Sequence, residues 1–184
     1  MWLPFLVVLL VPRVLAFILR EKPVGKSAPT FEGDRLANAS EILASFWAQS
    51  KDSPVPYANA EHAVLGLERR YGIVLPTDFR AYLVMIAPTE DYWDEGDAIW
   101  WSPARIRNIS EEYESEIRDA VIASKARSCL FFVDYMIWCW AWAICCEQGP
   151  DYGKIALIGG GDRWIADSFT DFVRAYIADP MSVC

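Results

Sequence analysis

The sequence predicts an α+β domain, with N-terminal helices and a closing C-terminal helix packed on a mainly antiparallel sheet. Apolar residues recur at helical spacing between residues 38 and 88 and again after Ser168. Between these segments, the run LFFVDYMIWCWAWAIC at residues 130–145 alternates with a period of two, as a strand does. The chain has 184 residues, of which 54% are hydrophobic and nine are Trp, so it can bury a substantial core and is not a disordered protein.

The run at residues 130–145 is predicted to be the central strand. From Met136 onward, bulky side chains occupy even positions and small ones occupy odd positions, and neither face is polar, so the strand should be covered on both faces. Trp140 is therefore expected in the core, and the small-residue face should pack closely on a helix. A buried helix is the alternative interpretation. A membrane span is rejected because of the period of two, the central Asp134 and the turn residues 149–153 that follow.

Three helices are predicted before the sheet. Asn38 and Glu41 resemble a capping pair at the start of a short helix that ends near residue 50. A second helix begins with Asn59 as its predicted N-cap and ends at Gly72, which supplies a left-handed C-terminal position. A third helix spans residues 76–88, with proline at both limits.

The other helices and strands are predicted from short sequence patterns. Residues 110–126 place acidic side chains before basic ones, which suits a surface helix. Residues 154–158 are predicted to be a strand, and residues 159–162 turn the chain into a further strand at 163–166. Ser168 is expected to cap the last helix, which ends before Pro180.

Five motifs follow one another along the chain: LERRYGIVLPTDFRAYL at residues 67–83 and, later, FVDY, WAI, YGKI and IADSFTDF. In this order they resemble the SUKH superfamily, which includes the fungal Smi and Knr cell-wall regulators and many bacterial immunity proteins. The resemblance implies a Smi/Knr-like fold over residues 38–180 and a function in protein binding. Two features depart from the family pattern: Ala87-Pro88-Thr89 stands where Asn-Gly is frequent, and the apolar N-terminus has no family counterpart.

The N-terminal part of the chain is predicted to comprise an apolar leader at residues 1–22 and a polar linker at 23–37. The leader is broken by prolines and by Arg13. Three interpretations are open: a membrane anchor through residues 1–19, a signal peptide with a cleavage site at residues 14–16, and an unusual leader or the product of an upstream start codon. The expected location of the domain is cytoplasmic, with membrane contact only through a retained leader.

The net charge indicates which class of partner the domain favours, and the cysteine content bears on disulfides and zinc. The net charge is −8, and because residues 1–26 carry +3, the remainder carries −11. Such an acidic domain repels nucleic acid and favours a basic partner, although acidity also keeps an aromatic-rich protein soluble. The five cysteines are an odd number without paired CxxC spacing, so they are interpreted as reduced, buried thiols of a cytosolic protein, and no zinc site is predicted.

The stretch TEDYWDEGDAIWW at residues 89–101 is the candidate docking loop, because carboxylates surround aromatic anchors there. Trp93 is expected to be an exposed anchor, whereas Trp100 and Trp101 are expected to divide between core and surface. The alternative is a solvated loop that leads into a strand. A calcium loop fits poorly because Trp93 would occupy a ligand position. The predicted partner-binding residues are Glu90, Asp91, Trp93, Asp94, Glu95, Asp97, Trp100 and Trp101.

No catalytic residues, cofactor or metal site are predicted. The single histidine, His62, has no nucleophile that the sequence pairs with it, and the carboxylate clusters lack a pocket signal. The resemblance implies an immunity protein that binds and neutralises a basic toxin domain. A regulatory scaffold is the alternative, and an enzyme such as a hydrolase comes third.

Overall fold

The computed structural model describes residues 38–184, so the predicted leader at residues 1–22 and linker at 23–37 lie outside the described residues. Within residues 38–184 the chain forms six α-helices and seven strands. The helices are α1 (Ala39–Trp47), α2 (Ala60–Tyr71), α3 (Thr77–Met85), α4 (Ile109–Glu112), α5 (Ala120–Ser124) and α6 (Phe169–Ala178), and a 3₁₀ turn follows at Pro180–Val183. The strands are β1 (Tyr92–Trp93), β2 (Ala98–Trp100), β3 (Arg107–Asn108), β4 (Cys129–Tyr135), β5 (Trp140–Cys145), β6 (Ile155–Ile158) and β7 (Arg163–Ala166).

The seven strands form one antiparallel sheet in the order β1-β2-β4-β5-β6-β7. β3 lies off this path and pairs with the first half of β4, beside the part that pairs with β2. The predicted α+β class is confirmed. No helix in residues 38–184 combines the length and apolar character that crossing a bilayer requires.

The predicted central strand at residues 130–145 is wrong as a single element, because the run is a hairpin. β4 and β5 pair with each other, and the last pair before the turn is Tyr135 with Trp140. Between them, Met136, Ile137 and Trp138 have φ of 45°, 57° and 66°, so the chain reverses through left-handed backbone. The alternation of side chains in the sequence thus continues through residues 136–138, although the extended backbone does not.

Local capping signals determine the helix limits. The side chain of Asn38 accepts a hydrogen bond from Glu41 N, and the side chain of Glu41 accepts one from Asn38 N, which forms the predicted capping box. Gly72 ends α2 with a φ of 64°, and the side chain of Ser168 caps α6, both as predicted. Asn59 precedes α2, but its side chain makes no capping hydrogen bond.

The main core lies between the sheet and helices α1, α3 and α6. Trp100 stands at its centre and contacts rings from all three helices. Edge-on and tilted ring pairs at centroid distances of 5.0–6.5 Å connect the aromatic cluster. Its fully or almost fully buried members are Trp47, Phe79, Tyr82, Trp100, Phe132, Trp142, Phe169, Phe172 and Tyr176.

Trp142, not Trp140, is the core tryptophan of β5. Trp142 is fully buried, and its Nε1 donates a hydrogen bond of 2.7 Å to Val183 O. Trp140 is only half-buried and stacks on Tyr135 with 4.4 Å between ring centroids. The prediction for Trp140 is wrong because this residue begins β5 beside the hairpin turn, and it is the one residue of the strand that is not fully inside the core.

The predicted surface helix at residues 110–126 is interrupted. It consists of α4 and α5, joined by an irregular segment. Arg118 N donates to Asp162 Oδ2, and the side chain of Asp119 accepts from Val121 N and Ile122 N. The Asp119 side chain therefore caps a new helix, and the bond to Asp162 attaches the segment to the β6–β7 turn.

Candidate functional site

Residues 90–101 form the edge of the sheet and its first turn. β1 pairs with β2 alone, with Tyr92 opposite Trp100 and Trp93 opposite Ile99. Asp97 has a φ of 64° in the turn, a conformation that Asp tolerates better than most residues. Side chains along this stretch alternate between the core and the outside, so the eight predicted docking residues do not share one environment.

Asp94 is buried, which corrects its predicted role as a docking charge. Its carboxylate accepts hydrogen bonds from Trp100 Nε1 at 2.8 Å and from the Tyr176 hydroxyl at 2.7 Å. It also accepts from Gly96 N at 2.9 Å and Ala98 N at 3.2 Å. Burial raises the pKa of Asp94 above its ordinary value, while the donors, led by Tyr176, oppose that rise. Asp94 therefore attaches the β1–β2 turn to α6, and a partner cannot reach it.

Trp100 and Trp101 are both fully buried, so the prediction that one would lie on the surface is wrong. Trp100 points to the helix side, where its ring lies 5.8 Å from that of Tyr82. Trp101 lies on the opposite side, and its Nε1 donates a 2.7 Å hydrogen bond to Asp134 Oδ2. The Arg105 guanidinium covers its ring at 4.0 Å. Both are buried because the sheet is covered on both faces.

Asp91 is exposed, but its charge is balanced within the domain. Its Oδ2 lies 2.8 Å from Arg105 Nη1, and its Oδ1 accepts from Ser102 N and Oγ. Arg105 also reaches the buried Asp134 at 3.3 Å. Asp91 thus holds Arg105 in place over Trp101, which weakens its predicted role in attracting a partner.

Four of the eight predicted residues remain available on the surface. Glu90 and Glu95 are exposed, Asp97 is half-buried, and Trp93 has 45% of its surface exposed. Among the described residues, no ion pair forms with Glu90, Glu95 or Asp97. We call these four residues the β1–β2 acidic surface. A half-exposed Trp with unpaired carboxylates close to it in the sequence is suited to contact a basic protein.

The β4–β5 hairpin tip, residues 136–139, extends this surface, and the sequence interpretation missed it. Met136 N donates to Asp97 O at 3.1 Å, which fixes the tip beside the β1–β2 turn. Ile137 is 66% exposed at the tip. No Gly, Asn or Pro marks the turn in the sequence, so no ordinary turn signal could have revealed it.

The candidate nucleophiles of residues 38–184 differ in exposure: the Cys139 thiol is exposed at the hairpin tip and Cys184 is half-buried, which corrects the expectation that the cysteines are buried. His62 is exposed on α2, and Cys129 and Cys145 face each other across β4 and β5 with no exposed surface. The hydrogen bond with Cys129 lowers the pKa of the Cys145 thiol, but a substrate cannot reach this sulfur. In the same residues, no group of three or more His, Cys, Asp or Glu side chains could hold a metal ion.

Comparison with known proteins returns no match, either to a family model or to a curated protein.

Proposed function

We propose that this chain is a non-enzymatic binding domain that captures a basic protein through the β1–β2 acidic surface. The observation that carries the proposal is the half-exposed Trp93 beside Glu90, Glu95 and Asp97, whose charges have no ion pair in residues 38–184. The Trp supplies apolar contact area that resists dissociation, and the carboxylates attract a positive surface from a distance.

The charge of the domain supports the same partner class. Residues 1–37 carry five basic and three acidic side chains, so residues 38–184 carry the remaining twelve and twenty-two, a net charge of −10. A field of this sign raises the local concentration of cationic proteins and speeds their association, whereas it repels the phosphates of nucleic acid.

The resemblance to the SUKH superfamily directs the proposal to one biological role. An immunity protein neutralises a toxin domain by stoichiometric binding that covers the toxin's active site. This role requires an exposed binding surface and no catalytic centre of its own, and the β1–β2 acidic surface supplies the first of these.

The test is co-expression with the protein encoded by the neighbouring gene. If that protein arrests growth, this chain should restore growth and co-purify with it in a fixed ratio. His62→Ala should protect as well as the wild type, because binding needs no imidazole. Growth arrest that persists, without a complex between the two purified proteins, would contradict the proposal.

A matched pair of variants locates the surface. Glu90→Gln, Glu95→Gln and Asp97→Asn together remove three charges from the β1–β2 acidic surface. The control removes the same number of exposed charges from the segment around α4, at Glu112, Glu114 and Glu116. Only the first set should reduce protection at limiting expression of this chain. Equal effects of the two sets would show that overall charge, and not this surface, attracts the partner.

A further inference from the structure

The turn of the β4–β5 hairpin is built from residues that disfavour its backbone. Met136, Ile137 and Trp138 follow one another with φ of 45°, 57° and 66°. Left-handed backbone suits Gly, Asn and Asp, and it is an outlier for a β-branched residue such as Ile. The sequence of this turn is therefore not the one that folding alone would favour.

The surrounding structure holds the turn rigidly. Trp138 N donates to Asp134 Oδ1 at 3.0 Å, and Cys139 N donates to Tyr135 O at 2.9 Å. The ring of Trp138 packs on Phe131, with centroids 5.0 Å apart, and on the opposite side of the turn Met136 N bonds to Asp97 O. Trp138 is thus anchored on the domain, and the conformation of Ile137 is fixed.

Burial of the Ile137 side chain contributes little to the stability of the fold. Its side chain is 66% exposed, so it contributes little to the core, and it projects from the end of a rigid hairpin. Backbone strain combined with an exposed apolar side chain is typical of binding sites, where preorganisation lowers the cost of association. A single branched side chain at a protruding tip fits a concave pocket better than a flat surface.

We propose that Ile137 inserts into an apolar pocket of the partner protein, and that basic residues border this pocket. The charge complementarity comes from Asp97, whose carbonyl bonds to the tip and whose carboxylate has no ion pair among residues 38–184. This inference rests on the proposed function and adds a second contact to it. The β1–β2 acidic surface attracts the partner, and the hairpin tip holds it.

The first test measures the strain without a partner. Ile137→Asn introduces a residue that tolerates left-handed backbone, so it should raise the Tm of the whole chain by about 2–4 °C. The matched control is Val74→Asn, which replaces another β-branched residue, 59% exposed, whose φ is not positive. The control should not raise the Tm. A lower Tm for Ile137→Asn would show that Ile137 serves the fold and would overturn the proposal.

The second test measures binding to the purified protein encoded by the neighbouring gene. Ile137→Asn and Ile137→Gly should both weaken the complex about 10- to 100-fold, mainly through faster dissociation, since a buried Ile side chain is worth about that much. Val74→Asn should bind like the wild type. If both Ile137 variants bind normally while the triple neutralisation of Glu90, Glu95 and Asp97 slows association, the tip proposal is wrong and the proposed function stands. If the wild-type chain does not bind this protein, both proposals fail.

Discussion

Replacing Asp94 with Ala should destabilise the domain, because this carboxylate is part of the core and is not a charge that a partner could contact. The change removes the acceptor of three buried donors, Trp100 Nε1, the Tyr176 hydroxyl and Ala98 N, and also that of the half-buried Gly96 N. Each unsatisfied buried donor costs about 1–3 kcal/mol, and relief from burying a carboxylate offsets part of the sum. We expect a loss of about 3 kcal/mol in the free energy of unfolding, equivalent to a fall in Tm of about 6–12 °C for a domain of this size.

Chemical denaturation followed by circular dichroism measures this loss, and the neighbouring Glu95→Ala supplies the control. Glu95 is exposed, so its replacement should change the free energy of unfolding by less than about 0.5 kcal/mol. The double variant Asp94→Ala/Tyr176→Phe should lose less than the two single losses combined, by about 1 kcal/mol, because the second change removes one orphaned donor. A shift for Asp94→Ala no larger than that for Glu95→Ala would refute the reasoning.

Three further predictions concern the core, pH and the domain boundary. Trp142→Ala should cost about 3–5 kcal/mol of unfolding free energy in the same assay and clearly more than Trp140→Ala; equal losses would contradict the placement of Trp142 in the core. Because burial raises the pKa of Asp94 from 3.8 in the folded chain, its contribution to stability is greatest below pH 3.8 and falls as the pH rises through the raised value. Denaturation at several pH values should show this fall in the unfolding free energy of the wild type but not in that of Asp94→Asn. The same pH profile in both proteins would contradict the prediction. The fragment 38–184 should be soluble and monodisperse in gel filtration when expressed alone, whereas aggregation would show that it needs the preceding residues.

Short-range signals in the sequence correctly predicted three of the helix limits. Asn38 with Glu41, Gly72 and Ser168 each act on backbone within a few residues, so the capping geometry follows from the local sequence. The α+β class follows from the same signals and from the apolar run that supplies β4 and β5. These features depend on little beyond neighbouring residues.

The burial of the candidate site could not be predicted in the same way. The hydroxyl that donates to the buried Asp94 carboxylate belongs to Tyr176, 82 positions later. The carboxylate that accepts from Trp101 Nε1 belongs to Asp134, 33 positions later. An exposed acidic residue and a buried one that accepts a hydrogen bond from a distant side chain can have the same aromatic neighbours in the sequence. Only the tertiary contacts separate Asp94, which is structural, from Glu95, which is exposed.

The hairpin was missed for a different reason. The sequence of residues 136–139 contains no turn former, and its alternation continues that of β5, so the pattern predicts a longer strand. Asp134 and Asp97 accept the backbone N–H groups that close the turn, and these bonds depend on how β2 and β4 pair. Backbone that local propensity disfavours can be held in this way by its surroundings, and such positions are typical of functional sites.

The central claim, that the β1–β2 acidic surface attracts a basic partner, is tested most directly by association rates at two salt concentrations. Surface plasmon resonance with the purified protein encoded by the neighbouring gene, at about 50 mM and about 500 mM salt, compares the wild type with the two triple-charge variants, since screening shortens the Debye length across this range. The wild type and the Glu112/Glu114/Glu116 control should associate about tenfold faster at low salt, whereas the Glu90/Glu95/Asp97 variant should lose most of that acceleration. An association rate indifferent to salt, or an equal loss in both triple variants, would contradict the account.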